Sequence, residues 1–446
     1  MKSYHIEKEI EKRILVLDGG LGTMIQRERL SEEDFRGAEF SASALPLRGC
    51  NDVLTLTAPH VVEKIHEAYL AAGADIISTN TFNANAISLA DYGLQEEVRR
   101  INREAAQLAR RMADRFTATE AEKPRFVAGS IGPTGRMASM PSDFLDLAAR
   151  AVTFDELVLA CVEQVRGLME GGADLLLVET AFDTLNAKAA LYAIAQVREE
   201  FLAEIPVVVS GTLTDSGRTL SAQTVEAFYL SVAHARPLAV GLNCGFGARQ
   251  LHPFLARLAA VARCGVSAHP NAGLPNAKGG YDETPEMFAA EMEKYLQEGL
   301  LNIVGGCCGT TPAHTAALSA RVGGYAPRPF SAPPFEAMIC GLEPLQLPEE
   351  GVKIGHNLNA AKNPVFAGML RGGRYEEALA LAGNEIADGA QVLDIWVEEG
   401  AEGSSSAETM TQLLNTLTFD PGIARVPFMI GASEWPAVEA GLKCLQ

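Results

Sequence analysis

The chain has 446 residues, 48% of them hydrophobic, and a formal net charge of −19. The negative charge excludes nucleic acid and anionic membrane surfaces as natural partners, while the hydrophobic share is ample for a large core. Eight cysteines are too few for a disulfide scaffold, and no stretch approaches the roughly 18 consecutive apolar residues of a membrane-spanning helix. The opening Met1-Lys2-Ser3-Tyr4-His5 has no apolar leader, so the expectation is a reduced, cytoplasmic protein. Cys50, Cys161, Cys264, Cys340 and Cys444 are expected to be inert buried thiols.

In chain order, short aliphatic runs at 14–18, 75–80, 126–129, 174–179, 207–211, 239–243, 266–269 and 302–305 alternate with amphipathic helical stretches. Runs that are apolar on both faces fit strands covered on both sides in a parallel sheet. Eight of them, with helices between, make the α/β count of a (β/α)8 TIM barrel; a doubly wound open sheet would leave the eighth without a place. One phrase recurs: Ala72-Gly73-Ala74-Asp75-Ile76-Ile77, Gly171-Gly172-Ala173-Asp174-Leu175-Leu176 and Asp388-Gly389-Ala390-Gln391-Val392-Leu393. Each reads as a glycine that closes a helix just before a strand begins.

From 326 to 350 the character changes. Pro327, Pro329, Pro333, Pro334, Pro344 and Pro348 fall among acidic residues without periodicity, as in a semi-rigid linker. The βα rhythm then restarts, with strands expected at 352–355, 392–395 and 427–430. Three strands cannot close a barrel, so the expected organisation is a barrel over 1–325, a Pro-rich linker over 326–350, and a partial second (β/α) barrel-like unit over 351–446.

Functional residues of a barrel sit at the C-terminal ends of its strands. Cys244 ends the sixth run, and Cys307 and Cys308 end the eighth. Two neighbouring thiolates and a distant third suit a zinc ion that keeps one position open for a substrate. Asn271, at the end of the seventh run, either lends its amide oxygen to that position or only supports a turn. His269 beside it is either a further ligand or a structural residue. The first run ends in Asp18-Gly19-Gly20-Leu21-Gly22-Thr23, whose glycines can turn backbone N–H groups toward a carboxylate; the lysine and serine of a phosphate loop are missing. Asp18 and Glu179, the latter ending the fourth run, can together hold an ammonium group. Zinc, an anion nest and two carboxylates describe an amino acid with a thiol side chain. Three thiolates leave zinc a weak Lewis acid, so a fourth sulfur stays nucleophilic and suits S-alkylation better than hydrolysis.

These residues carry a family resemblance. Asp18-Gly19-Gly20-Leu21-Gly22-Thr23, Thr79-Asn80-Thr81-Phe82, Glu179-Thr180, Gly241-Leu242-Asn243-Cys244 and Gly305-Gly306-Cys307-Cys308-Gly309-Thr310 resemble the zinc-dependent homocysteine S-methyltransferases. Phe182-Asp183-Thr184-Leu185-Asn186-Ala187-Lys188 and Ala268-His269-Pro270-Asn271-Ala272-Gly273-Leu274-Pro275-Asn276 extend the likeness toward the N-terminal part of the cobalamin-dependent methionine synthases, over residues 10–325. The resemblance implies that Cys244, Cys307 and Cys308 bind zinc. It implies that Asp18, Gly19, Gly20 and Glu179, with Asn80 and Asn271, surround homocysteine, and that methionine is the product. It also implies a methyl group delivered by cobalamin on another module or protein, because no Asp-x-His-x-x-Gly stretch occurs in this chain. Two alternatives remain: a sulfonium or betaine donor used directly, and a non-catalytic zinc-thiolate module. Residues 351–446 resemble the folate-binding unit of the same enzymes at Ile354-Gly355, Asn359, Gly389-Ala390-Gln391 and Asp394-Ile395. His356, Trp396 and Gly431, however, replace the Glu, Asn and Asp usual at pterin-facing strand ends, so folate contacts are expected to be lost.

Overall fold

The computed structural model describes residues 5–330 and 337–446; Met1 to Tyr4, and Pro333 and Pro334 of the expected linker, lie outside that description. Eight strands occur where aliphatic runs predict them: β1 (Leu15–Val16), β2 (Ile76–Ser78), β3 (Phe126–Ile131), β4 (Leu175–Ala181), β5 (Val207–Gly211), β6 (Ala239–Gly247), β7 (Gly265–Asn271) and β8 (Ile303–Val304). The sheet runs β1-β8-β7-β6-β5-β4-β3-β2, every pair parallel. A parallel bridge between Leu17 and Ile76 joins the two ends. Asp75 N–H donates to Val16 O at 2.7 Å and Asp18 N–H to Ile76 O at 2.9 Å. The ring is closed, and the open-sheet alternative falls.

The runs are apolar on both faces because both faces are covered. Leu175 and Leu177 of β4 join Leu15, Phe126, Val208 and Ile303 inside the barrel. Leu176 and Val178, between them, belong to the cluster that packs under the surrounding helices, the period-two alternation of a strand. Helices follow each strand, among them Pro59–Ala71, Val98–Thr119, Phe154–Glu170 and Thr184–Phe201. Thr153 and Glu156 form a reciprocal capping box at one of these, and the Asp183 side chain caps another, which supplies partners to otherwise orphaned N–H groups. Gly73, Gly172 and Gly389, of the recurring phrase, have φ of 100°, 88° and 93°, a backbone region that side chains disfavour.

Strands β9 (Ile354–Gly355), β10 (Val392–Trp396) and β11 (Phe428–Gly431) form a separate parallel sheet in that order, packed on Leu358, Phe366, Leu413 and Leu414. Within 326–350 the structure is more regular than the proline pattern suggests. Met338–Cys340 pairs antiparallel with Pro344–Gln346, and this hairpin is held to the barrel by Thr224 N–H on Leu342 O at 3.0 Å and by the Arg218–Glu343 ion pair at 2.5 Å. Pro344 fits because it stands at the start of its strand. Further bonds join the C-terminal unit to the barrel, among them Arg150 to Asn415 O at 2.8 Å and Lys443 to Asp155 at 2.9 Å. No helix among the described residues is long and apolar enough to cross a membrane.

Candidate active site

Cys244, Cys307 and Cys308 converge at the C-terminal rim of the barrel. Their sulfurs lie within 4.8 Å of one another, with Cys244 to Cys308 at 3.9 Å and Cys307 to Cys308 at 4.0 Å. A tetrahedral zinc with bonds of about 2.3 Å sets its sulfurs about 3.8 Å apart, so the three fit one face of such an ion and leave its fourth corner open. Local backbone features produce this convergence. β6 runs on past the predicted 239–243, and its pairing with β7 slips between Asn243 and Gly247. Cys244 sits in that bulge at φ 56°, a conformation that a non-glycine residue holds only when its surroundings enforce it. The Cys307-Cys308 turn is pinned to the end of β7 by Cys307 N–H on Pro270 O at 2.8 Å, Cys308 N–H on Asn271 Oδ1 at 3.1 Å and Ala272 N–H on Cys308 O at 2.9 Å. Hydrogen bonds from Cys307 and Cys308 hold the Cys244 thiol below its ordinary range, and sharing with Cys244 pushes both partners up.

Asp18, fully buried, and Glu179, whose side chain is 13% exposed, flank the cluster as two carboxyls. Asp18 accepts from Ser78 N–H at 2.8 Å and Ser78 Oγ at 3.0 Å; Glu179 accepts from Ser130 Oγ at 2.5 Å. Burial pushes Asp18 up to about 8, with the Glu179 charge adding to the rise, and pushes Glu179 up to about 7, with Cys244 adding to it. His269 Nε2 lies 3.9 Å from Glu179 Oε2, and burial pulls the imidazole down to about 4, too low to supply a cation at neutral pH. Two desolvated carboxyls that have no cation among the described residues suit an incoming ammonium group, which would restore their ionisation.

The other predicted residues fall out as follows. Asn271 does support the turn, through the bond from Cys308 N–H. His269 faces Glu179 and is not part of the sulfur group. Gly20 N–H already donates to Thr310 Oγ1 at 3.0 Å, so one donor of the expected nest is engaged. A Cβ on Gly20 would stand 2.7 Å from Cys307 O, which explains glycine there by close approach. Asn80 spends its amide on Asn51 O at 2.7 Å and ties the end of β2 to the neighbouring loop. Residues that sequence reasoning missed are Asn243 and Tyr281. Asn243 Oδ1 accepts from Thr180 N–H at 3.0 Å and Ser210 Oγ at 2.6 Å, and its Nδ2 donates to Thr180 Oγ1 at 2.7 Å. It thereby clamps β4, where Thr180 also has a positive φ of 58°, to β5 and β6. The Tyr281 ring packs over Gly309 beside Cys308, and its hydroxyl helps hold the Cys308 thiol down. Asn243 adjoins a cysteine already singled out, but no spacing rule points to Tyr281.

In the C-terminal unit, Trp396 and Gly431 are register partners on β10 and β11. A Cβ at 431 would overlap the indole ring, so the two departures at pterin-facing positions are one packing arrangement. Trp396 Nε1 donates to Glu398 at 2.5 Å, and Asn359 Nδ2 to Asp394 Oδ2 at 2.8 Å.

Over residues 15–322 the sequence matches the homocysteine S-methyltransferase family, and over residues 355–446 it matches the pterin binding enzymes. Among solved structures it is similar to the homocysteine methyltransferase MmuM from Escherichia coli. The metallated form is 24% identical with a TM-score of 0.54, over 70% of this chain and 97% of that one. The oxidised form is 22% identical with a TM-score of 0.54, over 69% and 96%. At these identities the likeness is one of fold.

Proposed function

Since the chain belongs to the homocysteine S-methyltransferase family and is a methyltransferase, we propose that its barrel methylates homocysteine to methionine at a zinc site formed by Cys244, Cys307 and Cys308. The observation that carries this reading is the spacing of the three sulfurs, which matches one face of a tetrahedral thiolate site. Zinc bound there supplies the charge that keeps an incoming thiol deprotonated near neutral pH. The chain's own residues do the rest. Asp18 and Glu179 take the substrate ammonium, Gly19 and the start of the helix Leu21–Glu28 meet its carboxylate, and His269 stands behind Glu179. Asn243 and Asn271 hold the cysteine-bearing turns, and Asn80 anchors the end of β2. We assign residues 1–325 to this barrel and 351–446 to a partial folate-type unit, with 326–350 connecting them.

For the donor we propose methylcobalamin carried by another module or protein. A sulfonium or betaine taken directly by the barrel is the second reading, and the Trp396–Gly431 packing favours it, because that arrangement removes polar contacts a folate would need. Methyl transfer to homocysteine assayed with methylcobalamin, a methylsulfonium and glycine betaine decides between them, and inactivity with all three defeats both. For the metal, purified protein is expected to carry about one zinc per chain, with X-ray absorption reporting three sulfurs and a fourth when homocysteine is added. Cys307→Ala and Cys308→Ala are each expected to lose tight binding. A shell of nitrogen and oxygen alone would overturn the assignment.

A further inference from the structure

A cleft of about 900 Å³ lies where the C-terminal unit meets the flank of the barrel, a volume within the ordinary range for small-molecule sites, about 300–1,000 Å³. Its walls come from the helix Thr184–Phe201, the hairpin at 338–346 and the last helix, Trp435–Leu442; the sulfur cluster takes no part in it. Tyr192, Trp435 and Leu442, all exposed, give it an apolar side. Its side-chain charge is unbalanced: among the lining side chains, Lys188, Arg198 and Lys443 stand against one carboxylate, Glu439. Lys443 is neutralised by Glu439 at 2.7 Å and Asp155 at 2.9 Å, and Arg198 donates to the Ile205 carbonyl.

Lys188 is different. Its ammonium is largely buried and donates to the Leu445 carbonyl at 2.9 Å, and among the described residues no carboxylate lies within ion-pair distance of it. An ammonium has three donors, and a buried charge is costly unless paired and hydrogen-bonded. Burial accordingly lowers its proton affinity. His234 lines the same cleft with Nδ1 2.9 Å from the Ser231 carbonyl oxygen. A carbonyl only accepts, so the neutral ring carries its proton on Nδ1 and keeps Nε2 as an acceptor.

We propose that this cleft binds a monoanionic small molecule with an apolar body, a carboxylate or sulfonate whose charged group pairs with Lys188 while its rings or alkyl groups cover Tyr192, Trp435 and Leu442. A hydrogen-bond donor on the ligand finds its partner at His234 Nε2. This site is independent of the zinc reading and stands or falls apart from it.

The test uses the whole chain and two fluorescent probes of one shape: 8-anilinonaphthalene-1-sulfonate, and N-phenyl-1-naphthylamine, which lacks the charge. The sulfonate is expected to saturate at one per chain, with energy transfer from tryptophan that survives Trp396→Phe, because Trp435 lines the cleft. Lys188→Met is expected to weaken the sulfonate at least about tenfold, as loss of a charge-assisted hydrogen bond does, and to leave the neutral probe within about twofold. Equal binding of the sulfonate by Lys188→Met and the parent, or energy transfer lost in Trp396→Phe, overturns the proposal. Should Lys188→Met not fold, Ala195→Phe fills the cleft from an exposed wall position and is expected to abolish binding of both probes. Undiminished binding in that variant overturns the proposal equally.

Discussion

At the level of single residues, Asp18 and Glu179 are desolvated carboxyls that no charged group among the described residues pairs with. Glu179→Gln keeps the shape and the bond from Ser130 while removing the charge proposed to face the substrate ammonium. A charge-assisted hydrogen bond contributes roughly 1.5–3 kcal/mol, so homocysteine affinity is expected to fall roughly ten- to a hundredfold with zinc content unchanged. Calorimetry alongside metal analysis checks this, and loss of zinc would make Glu179 structural instead. The three cysteines were legible in the sequence because sulfur chemistry restricts what an adjacent pair and a distant third can do. Asn243 was not, since its role comes from bonds to Thr180 and Ser210, which only the pairing of β4, β5 and β6 brings within reach.

Among elements, strand positions were read closely and strand ends were not. β4 and β6 both continue beyond their apolar runs into bulges, and a bulge depends on the neighbouring strand's register rather than on composition. The helix Pro59–Ala71 carries a different kind of cost. His66 on it is fully buried, and among the described residues neither ring nitrogen has a hydrogen-bond partner. Burial pulls it from 6.5 to about 4. Between those values the unfolded chain binds a proton that the folded chain refuses, so stability is lost as pH falls through that window and is fully present above it. The contribution is roughly 3 kcal/mol. Other buried groups titrate as well, so the useful quantity is the difference between the parent and His66→Leu in urea unfolding. That difference is expected to be flat above about pH 7 and to shift steadily in the variant's favour as the pH is lowered toward 4. Parallel curves across the window would show that His66 is protonated inside the fold.

For the whole molecule, the C-terminal unit bears on which methyl donor the chain can use. Its three strands form an open sheet, and at the strand ends Trp396 lies across Gly431 where polar residues would meet a pterin. Each lost hydrogen bond to a buried ring edge costs roughly 1–3 kcal/mol, and three together reach at the upper end the roughly 8 kcal/mol of a micromolar ligand. Methyltetrahydrofolate is therefore expected to give no saturable heat at micromolar concentrations, and a saturable isotherm there would defeat this account. The sequence by itself determined the eight-strand barrel, because strands buried on both faces must be apolar throughout, and it determined the sulfur cluster, because barrel strand ends share one rim. Only the tertiary structure decided that Asn271 supports a turn, that Gly20 has already given its N–H to Thr310, that the proline-rich stretch contains a docked hairpin, and that Lys188 faces a cleft between two units. Each of these depends on groups from distant parts of the chain meeting at hydrogen-bond distance, and local patterns of hydrophobicity and charge do not encode which groups will meet.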